Sequence, residues 1–318
     1  MRRILVTGAL GQIGSELTER LREIYGVSNV VASSKSAKDG HEELVAAGPF
    51  EVVDVTNREQ LAEVVKKHKI NTIIHLAAIL SAVGEQNPHL AWEVNINGLY
   101  NVLEVARGEN CAVFTPSSIA AFGDSTPKDN TPQDTIQRPS TMYGVTKVAG
   151  ELLCDYYYHK FGVDTRGVRF PGLISYKTLP GGGTTDYAVH IYYEALRNKR
   201  YTSYIGPGTK MDMMYMPDAL DAIIQLMEAD PTKLVHRNAF NVTAMSFAPE
   251  DIARSIRKFI PEFELDFDVD PVRQAIAESW PNSLDDSAAR EEWGWQPKYD
   301  LDAMTEDMLK NLRAKLGL

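Results

Sequence analysis

The strongest constraint on the fold is an alternation of short apolar runs with longer amphipathic segments along the first two-thirds of the chain. Five runs have the length and composition of strands: RRILVTG, NVVAS, FEVVD, NTIIHLA and CAVFTPS. Between them, LTERLREIYG, REQLAEVVKKHK and HLAWEVNINGLYNVLEVA place apolar residues at helical spacing. Strands that alternate with helices are parallel and need right-handed crossovers. The pattern therefore predicts an α/β fold with a Rossmann-like, doubly wound parallel sheet.

The last third of the chain reads differently, because turn-rich stretches such as KTLPGGGTT and ESWPNSLDD separate its helices. We predict a nucleotide-binding domain over residues 1–172, with a returning segment near 213–247 whose strand AFNVT rejoins the main sheet. Residues 173–212 and 248–318 are predicted to form a smaller C-terminal substrate-binding lobe. A chain of 318 residues is long enough for both parts.

Composition excludes several classes of partner. The chain carries 43 acidic and 33 basic side chains, a net charge of -10, so neither nucleic acid nor an anionic membrane is an expected partner. No apolar run approaches the roughly 20 residues of a membrane span, and because the first residues have a strand pattern we expect no leader. The two cysteines, Cys111 and Cys154, lack a metal-ligand spacing and suit a reducing compartment. We expect a cytoplasmic protein without a catalytic metal.

The glycine-rich stretch TGALGQIG, residues 7–14, lies between the first strand and the first helix. Gly8 permits a tight turn, Gly11 lets the backbone approach a pyrophosphate, and Gly14 allows close packing of helix on strand. The spacing is G-x-x-G-x-x-G rather than G-x-G-x-x-G, and a glycine-rich turn without a ligand is the alternative. The strand–turn–helix context favours a dinucleotide site.

The next diagnostic position leaves the choice between NAD and NADP open. An acidic residue is expected about 20 positions further on, where it holds the adenosine ribose. The chain has Ser34 there, with Lys35 and Lys38 just after it. A serine beside a lysine tolerates a 2′-phosphate, or these residues are only a solvated loop. Asp54, which closes the third strand pattern, is the predicted contact to the adenine.

The stretch MYGVTK puts Tyr143 and Lys147 four residues apart, on one face of a predicted helix from about 143 to 161. Because free tyrosine has a pKa of about 10, a tyrosine base needs a pKa about 3 units lower, and a nearby ammonium stabilises the phenolate. The pattern alone is weak, but it follows the fifth strand and TPSSIAAFG. We predict that Ser118 hydrogen-bonds the reacting oxygen. Ser117 is the alternative, or either serine only caps the strand end.

Together these motifs, with HLAA at 75–78 and NING at 95–98, resemble the extended short-chain dehydrogenase/reductase family. The resemblance implies that Asn95 helps to hold the active-site lysine through water; a plain contact at a helix kink is the alternative. It also implies a homodimer that pairs through the helices at 88–106 and 143–161. Nucleotide-sugar members carry an arginine for the diphosphate before a Y-V-D-D-like segment. Here TKMDMMYMPDALDA has none, which argues for a small substrate.

A narrower resemblance comes from RFPGLISYKTLPGGGTTDYAVHIYYEAL, residues 169–196, and from IQRPSTMYGVTK, AMSFAPEDIA and ESWPNSLDDSAAR. These segments are similar to the short-chain type L-threonine 3-dehydrogenases, a group within the extended family. The resemblance implies NAD-linked oxidation of L-threonine to 2-amino-3-ketobutyrate. The rival hypotheses are a nucleotide-sugar epimerase or dehydratase of the same family, and a non-catalytic regulator that binds the dinucleotide.

The resemblance also assigns substrate contacts to Ser81 and to Thr184, Thr185 and Asp186, whose hydroxyls and carboxylate suit a zwitterionic amino acid. In PGGGTTD, residues 180–186, the glycines are predicted to hinge a loop that shuts over the substrate. The alternative is a tight turn in which Asp186 caps the next helix.

Two aromatic residues complete the predicted site. Trp280 either walls the substrate lobe or packs in the core, and Phe170 is expected at the nicotinamide face. The full set of predicted NAD-binding residues is Gly8, Gly11, Gln12, Ile13, Gly14, Ser34, Asp54, Val55, Leu76, Ala77, Ala78, Asn95, Tyr143, Lys147 and Phe170. The predicted substrate-binding residues are Ser81, Ser118, Tyr143, Thr184, Thr185, Asp186 and Trp280.

Overall fold

The structure is a computed structural model that describes residues 1–37, 41–179 and 183–318. Lys38 and the segment 180–182, with most of the predicted glycine hinge, lie outside the described residues. The chain divides into two compact units. The first unit comprises 1–121, 139–169 and 220–240, and the second comprises 122–138, 170–219 and 241–318.

The strands are numbered along the chain. They are β1 Ile4–Thr7, β2 Val30–Ser34, β3 Phe50–Val52, β4 Thr72–His75, β5 Ala112–Phe114, β6 Ser117–Ser118, β7 Thr165–Arg166, β8 Val168–Phe170, β9 Gly172–Ile174, β10 Arg200–Ser203, β11 Met211–Tyr215, β12 Phe240–Asn241, β13 Met245–Phe247 and β14 Glu264–Phe267.

The helices are α1 Gln12–Tyr25, α2 Glu42–Ala46, α3 Arg58–His68, α4 Ser81–Gln86, α5 Pro88–Trp92, α6 Gly98–Glu109, α7 Met142–Phe161, α8 Tyr187–Asn198, α9 Met216–Glu228, α10 Pro249–Arg257, α11 Pro271–Ser279, α12 Ser287–Trp293 and α13 Leu301–Leu316. A π-helical turn, Glu93–Asn97, connects α5 to α6, and short 3-10 turns cover Val27–Asn29, Ile119–Ala121 and Thr184–Asp186. No helix in the described part of the chain is long and apolar enough to cross a membrane.

The first unit contains a six-stranded parallel sheet in the order β3-β2-β1-β4-β5-β7. Strand order reverses between β1 and β4, because β1 pairs with β2 on one side and with β4 on the other. In open α/β sheets, ligands bind beyond the carboxyl ends of the strands at such a reversal. The predicted Rossmann-like, doubly wound fold is confirmed.

One face of this sheet is covered by α3, α6 and α7. Leu5, Ile73 and Val113 on the strands are fully buried, together with Leu61 of α3 and Leu103 of α6. Burial of each such side chain contributes about 1.5–3 kcal/mol. A sheet covered on both faces requires continuously apolar strands, which is why runs such as NTIIHLA stand out in the sequence.

The second unit contains a three-stranded sheet in the order β13-β11-β9 and a parallel pair of β10 with β14. Its core includes the methionines of β11 and the start of α9. Met211, Met213, Met214 and Met216 are all completely buried, in keeping with the flexible, gap-filling character of this side chain.

The AFNVT segment pairs differently from the sequence expectation. Its strand β12 belongs to a small sheet in the order β12-β8-β6 and not to the six-stranded sheet. The backbone N–H of Phe240 donates to the carbonyl of Gly167, which lies between β7 and β8. The segment therefore pairs with the backbone just after β7 and does not add a strand to the edge of the main sheet.

Candidate active site

The glycine loop is built by two close backbone approaches. Gly8 has a φ of +69°, and a Cβ placed on it would lie 2.6 Å from the backbone nitrogen of Ala77. A Cβ on Gly14 would lie 2.2 Å from the carbonyl oxygen of Gly8. Both neighbours are backbone atoms that cannot move aside. These contacts explain why the turn from β1 into α1 needs glycine at both positions.

The loop also fits a dinucleotide. Gly11 is the N-cap of α1 and has no side chain that could occupy the first backbone N–H groups of the helix. Gly11 is exposed, and it lies at the carboxyl end of β1, beside the reversal in strand order. Exposed N–H groups and the positive end of the helix dipole attract a phosphate. The predicted contacts Gln12 and Ile13 form the first turn of this helix.

The end of β2 and the segment after β3 bring together three residues that are predicted to contact the adenosine: Ser34, Asp54 and Val55. Ser34 is partly exposed, and the Lys35 ammonium lies 3.2 Å from the Asp54 carboxylate. The Asp54 carboxylate also accepts hydrogen bonds from the backbone and hydroxyl of Thr56. Burial acts to raise the pKa of Asp54, but these hydrogen bonds and the lysine outweigh it and hold the pKa below its usual value. Val55 is buried beside it.

The segment after β4 is held by Asn95, which lies in the π-helical turn. The Asn95 side chain accepts from the N–H of Ile79 at 2.7 Å and donates to its carbonyl at 3.0 Å. It also donates to the hydroxyl of Thr146 on α7 at 3.0 Å. Asn95 thus links the stretch that contains Leu76, Ala77 and Ala78 to the helix that carries the tyrosine.

The start of α7 is fixed against the strand region that precedes it. The Thr141 hydroxyl caps the helix by accepting from the N–H of Gly144 at 3.0 Å. A Cβ on Gly144 would lie 2.2 Å from the carbonyl oxygen of Ala120, so the helix packs directly on the turn that follows Ser118. Tyr143 and Lys147 share a face of α7, with the Lys147 ammonium 5.3 Å from the centre of the Tyr143 ring.

The two candidate serines have different partners. Ser117 is buried, and its hydroxyl donates to the carboxylate of Glu151. Ser118 is partly exposed, and its hydroxyl accepts from the N–H of Ala120 at 3.2 Å, which leaves its own proton available as a donor. The arrangement favours Ser118 over Ser117 as the group that meets a reacting oxygen.

Sequence reasoning missed a buried charge cluster behind the lysine. Glu151, one turn after Lys147, forms an ion pair with Arg169, with N–O distances of 3.0 and 2.8 Å. Lys147 donates to the carbonyl of Pro116 at 2.7 Å. The signal for Glu151 was present, because its spacing of four continues the Tyr143 to Lys147 series. Arg169 is remote in sequence and carried no comparable signal.

His75, at the end of β4, was also missed. It is buried, and its Nδ1 lies 2.8 Å from the Thr7 hydroxyl. Burial and then the positive charge of Lys147 lower the pKa of His75 to about 3, so the imidazole is neutral at physiological pH. A pocket lies between the β4 segment and α7, and His75, Ala77, Asn95 and Lys147 are among the residues that line it.

The second unit contains the other predicted contacts. Thr184 is buried, and the Asp186 carboxylate accepts from the N–H of Gly183, which closes the turn that leads into α8. This bond closes the 3-10 turn Thr184–Asp186; Asp186 is also the N-cap residue of α8, the position expected in the alternative, but its side chain makes no cap hydrogen bond to that helix. Trp280 is 9% exposed and Phe170 is 4% exposed, so core packing accounts for most of both side chains. Ser81, in the first unit, is the first residue of α4 and is partly exposed.

Comparison with known proteins places this architecture in a family. The profile described as "NAD dependent epimerase/dehydratase family" matches residues 4–243. A Staphylococcus haemolyticus protein named as an uncharacterized epimerase/dehydratase is 62% identical over 315 residues, which cover 99% of each chain. The solved L-threonine dehydrogenase of Clostridium difficile is 65% identical with a TM-score of 0.98, over 99% of this chain and 98% of that one.

A third similar protein was solved in a holo form. It is the GalE-like L-threonine dehydrogenase of Cupriavidus necator, 49% identical with a TM-score of 0.94, over 98% of this chain and 99% of that one. The chain belongs to the NAD-dependent epimerase/dehydratase family. It is an NAD-dependent oxidoreductase of the extended short-chain dehydrogenase/reductase type.

Proposed function

We propose that the protein oxidises L-threonine at its β-carbon hydroxyl to 2-amino-3-ketobutyrate, as an NAD-dependent L-threonine 3-dehydrogenase. The observation that carries the proposal is the shared face of Tyr143 and Lys147 at the start of α7, beside Ser118. This arrangement occurs in a chain that is 65% identical, over nearly its whole length, to a solved L-threonine dehydrogenase. The small substrate also agrees with the lack of an arginine in TKMDMMYMPDALDA.

In the proposed reaction, Tyr143 acts as a phenolate base and removes the proton from the substrate hydroxyl. The Lys147 ammonium stabilises the phenolate, and the Ser118 hydroxyl donates to the substrate oxygen as it becomes a carbonyl. NAD, when bound, supplies the hydride acceptor at nicotinamide C4. The remaining task of the chain is to exclude water and to orient the alcohol.

The first unit is proposed to hold the cofactor. Gly8, Gly11 and Gly14 with the first turn of α1 would meet the pyrophosphate. Ser34 and Asp54 would lie at the adenosine. The β4 segment and Asn95 would line the nicotinamide side.

The substrate contacts are proposed from the chemistry of a zwitterion. An ammonium group needs a carboxylate or carbonyls, and a carboxylate that has no arginine needs hydroxyls or backbone N–H groups. Ser81 in the first unit offers a hydroxyl. Thr184, Thr185 and Asp186 in the second unit offer two hydroxyls and a carboxylate, and Trp280 offers an apolar surface.

The deciding experiment is Tyr143→Phe, which removes only the phenol oxygen. We expect kcat with L-threonine and NAD to fall by about 10²–10⁴-fold, while the unfolding midpoint stays near that of the parent protein. Reduced cofactor is followed by absorbance. Parallel assays with UDP-glucose test the epimerase hypothesis. A folded parent protein that turns over neither substrate supports the hypothesis of a non-catalytic regulator. If the variant kept most of its activity, Tyr143 would not be the base.

We also propose that the active form is a homodimer. Val145, Leu152 and Tyr156 lie on one side of α7 at spacings of seven and four, and they are 41, 63 and 53% exposed. Tyr100 on α6 is 46% exposed. A solvent-facing apolar surface of this kind marks a protein interface. The molar mass measured by light scattering tests the proposal, and a mass of one chain at assay concentrations contradicts it.

A further inference from the structure

A two-residue segment, Pro116–Ser117, is tied to α7 at two adjacent points. The carbonyl of Pro116 accepts from the Lys147 ammonium at 2.7 Å. The hydroxyl of the next residue, Ser117, donates to the Glu151 carboxylate. Lys147 and Glu151 are one turn apart on the helix. The carbonyl that accepts from Lys147 is therefore one residue away from the hydroxyl that binds Glu151.

The Glu151 end of this arrangement is rigid. Its carboxylate takes two hydrogen bonds from the Arg169 guanidinium, at 3.0 and 2.8 Å, and the two side chains are only 5 and 7% exposed. The backbone carbonyl of Glu151 accepts from Asn238 at 3.0 Å. A bidentate pair in such a buried place has one favourable geometry. Glu151 is thus a fixed point against which Ser117 is held.

We propose that Ser117 is a positioning residue for Lys147, with Glu151 and Arg169 as its support. The Ser117 hydroxyl holds the peptide that presents the Pro116 carbonyl, and this carbonyl takes one of the three ammonium hydrogens of Lys147. This hydrogen bond also determines the directions of the other two hydrogens of the Lys147 ammonium. The inference rests on the proposed catalytic role of Lys147, but the physical link between the two residues stands without it.

The link is tested first in the protein without cofactor. Competitive acetylation followed by mass spectrometry gives the labelling rate of each lysine. In Ser117→Ala, the rate at Lys147 is expected to rise at least several-fold, while Lys315, which is bound by the carbonyls of Tyr176 and Lys177, labels at its original rate.

The matched control is Thr165→Val, which deletes another buried hydroxyl bonded to α7, at the carbonyl of Cys154. It should leave the Lys147 rate unchanged. If Ser117→Ala does not fold, Ser117→Cys keeps the volume and weakens the donor. An unchanged Lys147 rate in the folded Ser117 variant overturns the proposal.

The second test is a double-mutant cycle on turnover. Ser117→Ala should lower kcat about 10- to 100-fold with little change in KM for threonine, because a displaced ammonium acts on the reacting state. In a Lys147→Met background the same substitution should have no further effect. Additive losses would mean that Ser117 acts independently of Lys147 and would refute the inference. A protein inactive on threonine but with the expected labelling would refute the proposed function alone.

Discussion

Each unit contains a buried acidic residue, and the two residues have opposite kinds of partner: a charged group in one and neutral hydrogen-bond donors in the other. Glu151 in the first unit is paired with the guanidinium of Arg169. Asp212 in the second unit is completely buried, and neutral groups donate to it: the Thr243 hydroxyl at 2.7 Å and the N–H of Leu284 at 2.8 Å. Burial, with a smaller effect from the nearby Asp286, raises the pKa of Asp212 to about 8 against the opposing hydrogen bonds.

The contrast shows two ways in which a fold accommodates a buried acid: its charge is paired, or the acid takes up a proton. A paired buried acid holds the two elements that carry the partners in one arrangement, because any arrangement that separates the partners leaves a buried charge unpaired. A buried acid with neutral partners is accommodated by taking up a proton instead. The ion-paired acid lies behind the proposed catalytic lysine, and the acid with neutral partners lies in β11 among buried methionines.

The largest effect is expected from Arg169→Met, which leaves the buried Glu151 charge without its counter-ion. The free energy of unfolding should fall by about 3–5 kcal/mol, as measured by urea denaturation. Arg58→Met is the matched control, since Arg58 pairs with Glu104 at 3.5 Å while 51% exposed. A double replacement, Glu151→Leu with Arg169→Met, should recover much of the loss. Equal costs for the two arginine variants would remove the distinction between the buried and the exposed pair.

An intermediate, pH-dependent effect is expected from Asp212→Asn. In the folded protein the pKa is raised from the ordinary 3.8 to about 8, so the folded state binds the extra proton between these values. The stability that this proton contributes is fully present below about pH 4 and is lost as the pH rises through 8. The asparagine variant lacks this dependence.

The measurement is the difference in unfolding free energy between parent and variant at several pH values from 5 to 9. The difference should fall steadily up to about pH 8 and then level off. The exposed Asp268 supplies the control substitution, Asp268→Asn. A constant difference across the range would mean that Asp212 does not exchange a proton there.

The smallest effect is expected from Lys35→Ala. The Lys35 to Asp54 pair resembles the buried pair in chemistry, but its side chains are 75 and 32% exposed. Exposed pairs contribute at most about 1 kcal/mol, and salt screens them. Urea unfolding at low and high salt should give a difference below that limit, smaller still at high salt. A loss as large as that of Arg169→Met would show that burial does not control the strength of these pairs.

The sequence predicted those features that depend on local spacing. The main sheet follows from its apolar runs, α7 from Tyr143 onward follows from helical periodicity, and the glycine loop follows from its place between strand and helix. The Glu151 to Arg169 pair could not be found this way, because a strand 18 residues away brings the arginine back to the helix. The different partners of Ser117 and Ser118 could not be predicted either, because the Ser117 hydroxyl binds Glu151, 34 residues further along the chain, while the Ser118 hydroxyl accepts from the nearby Ala120.

Gly144 has a practical consequence for attempts to alter the enzyme. The carbonyl of Ala120 occupies the place that any side chain at this position would need, so the spacing between the phenol-bearing helix and its neighbour is set by main-chain contact. Libraries aimed at new substrates should therefore leave residue 144 unchanged. Diversity is better introduced at side chains that border the pocket, where a change of shape does not push the helix away from its support.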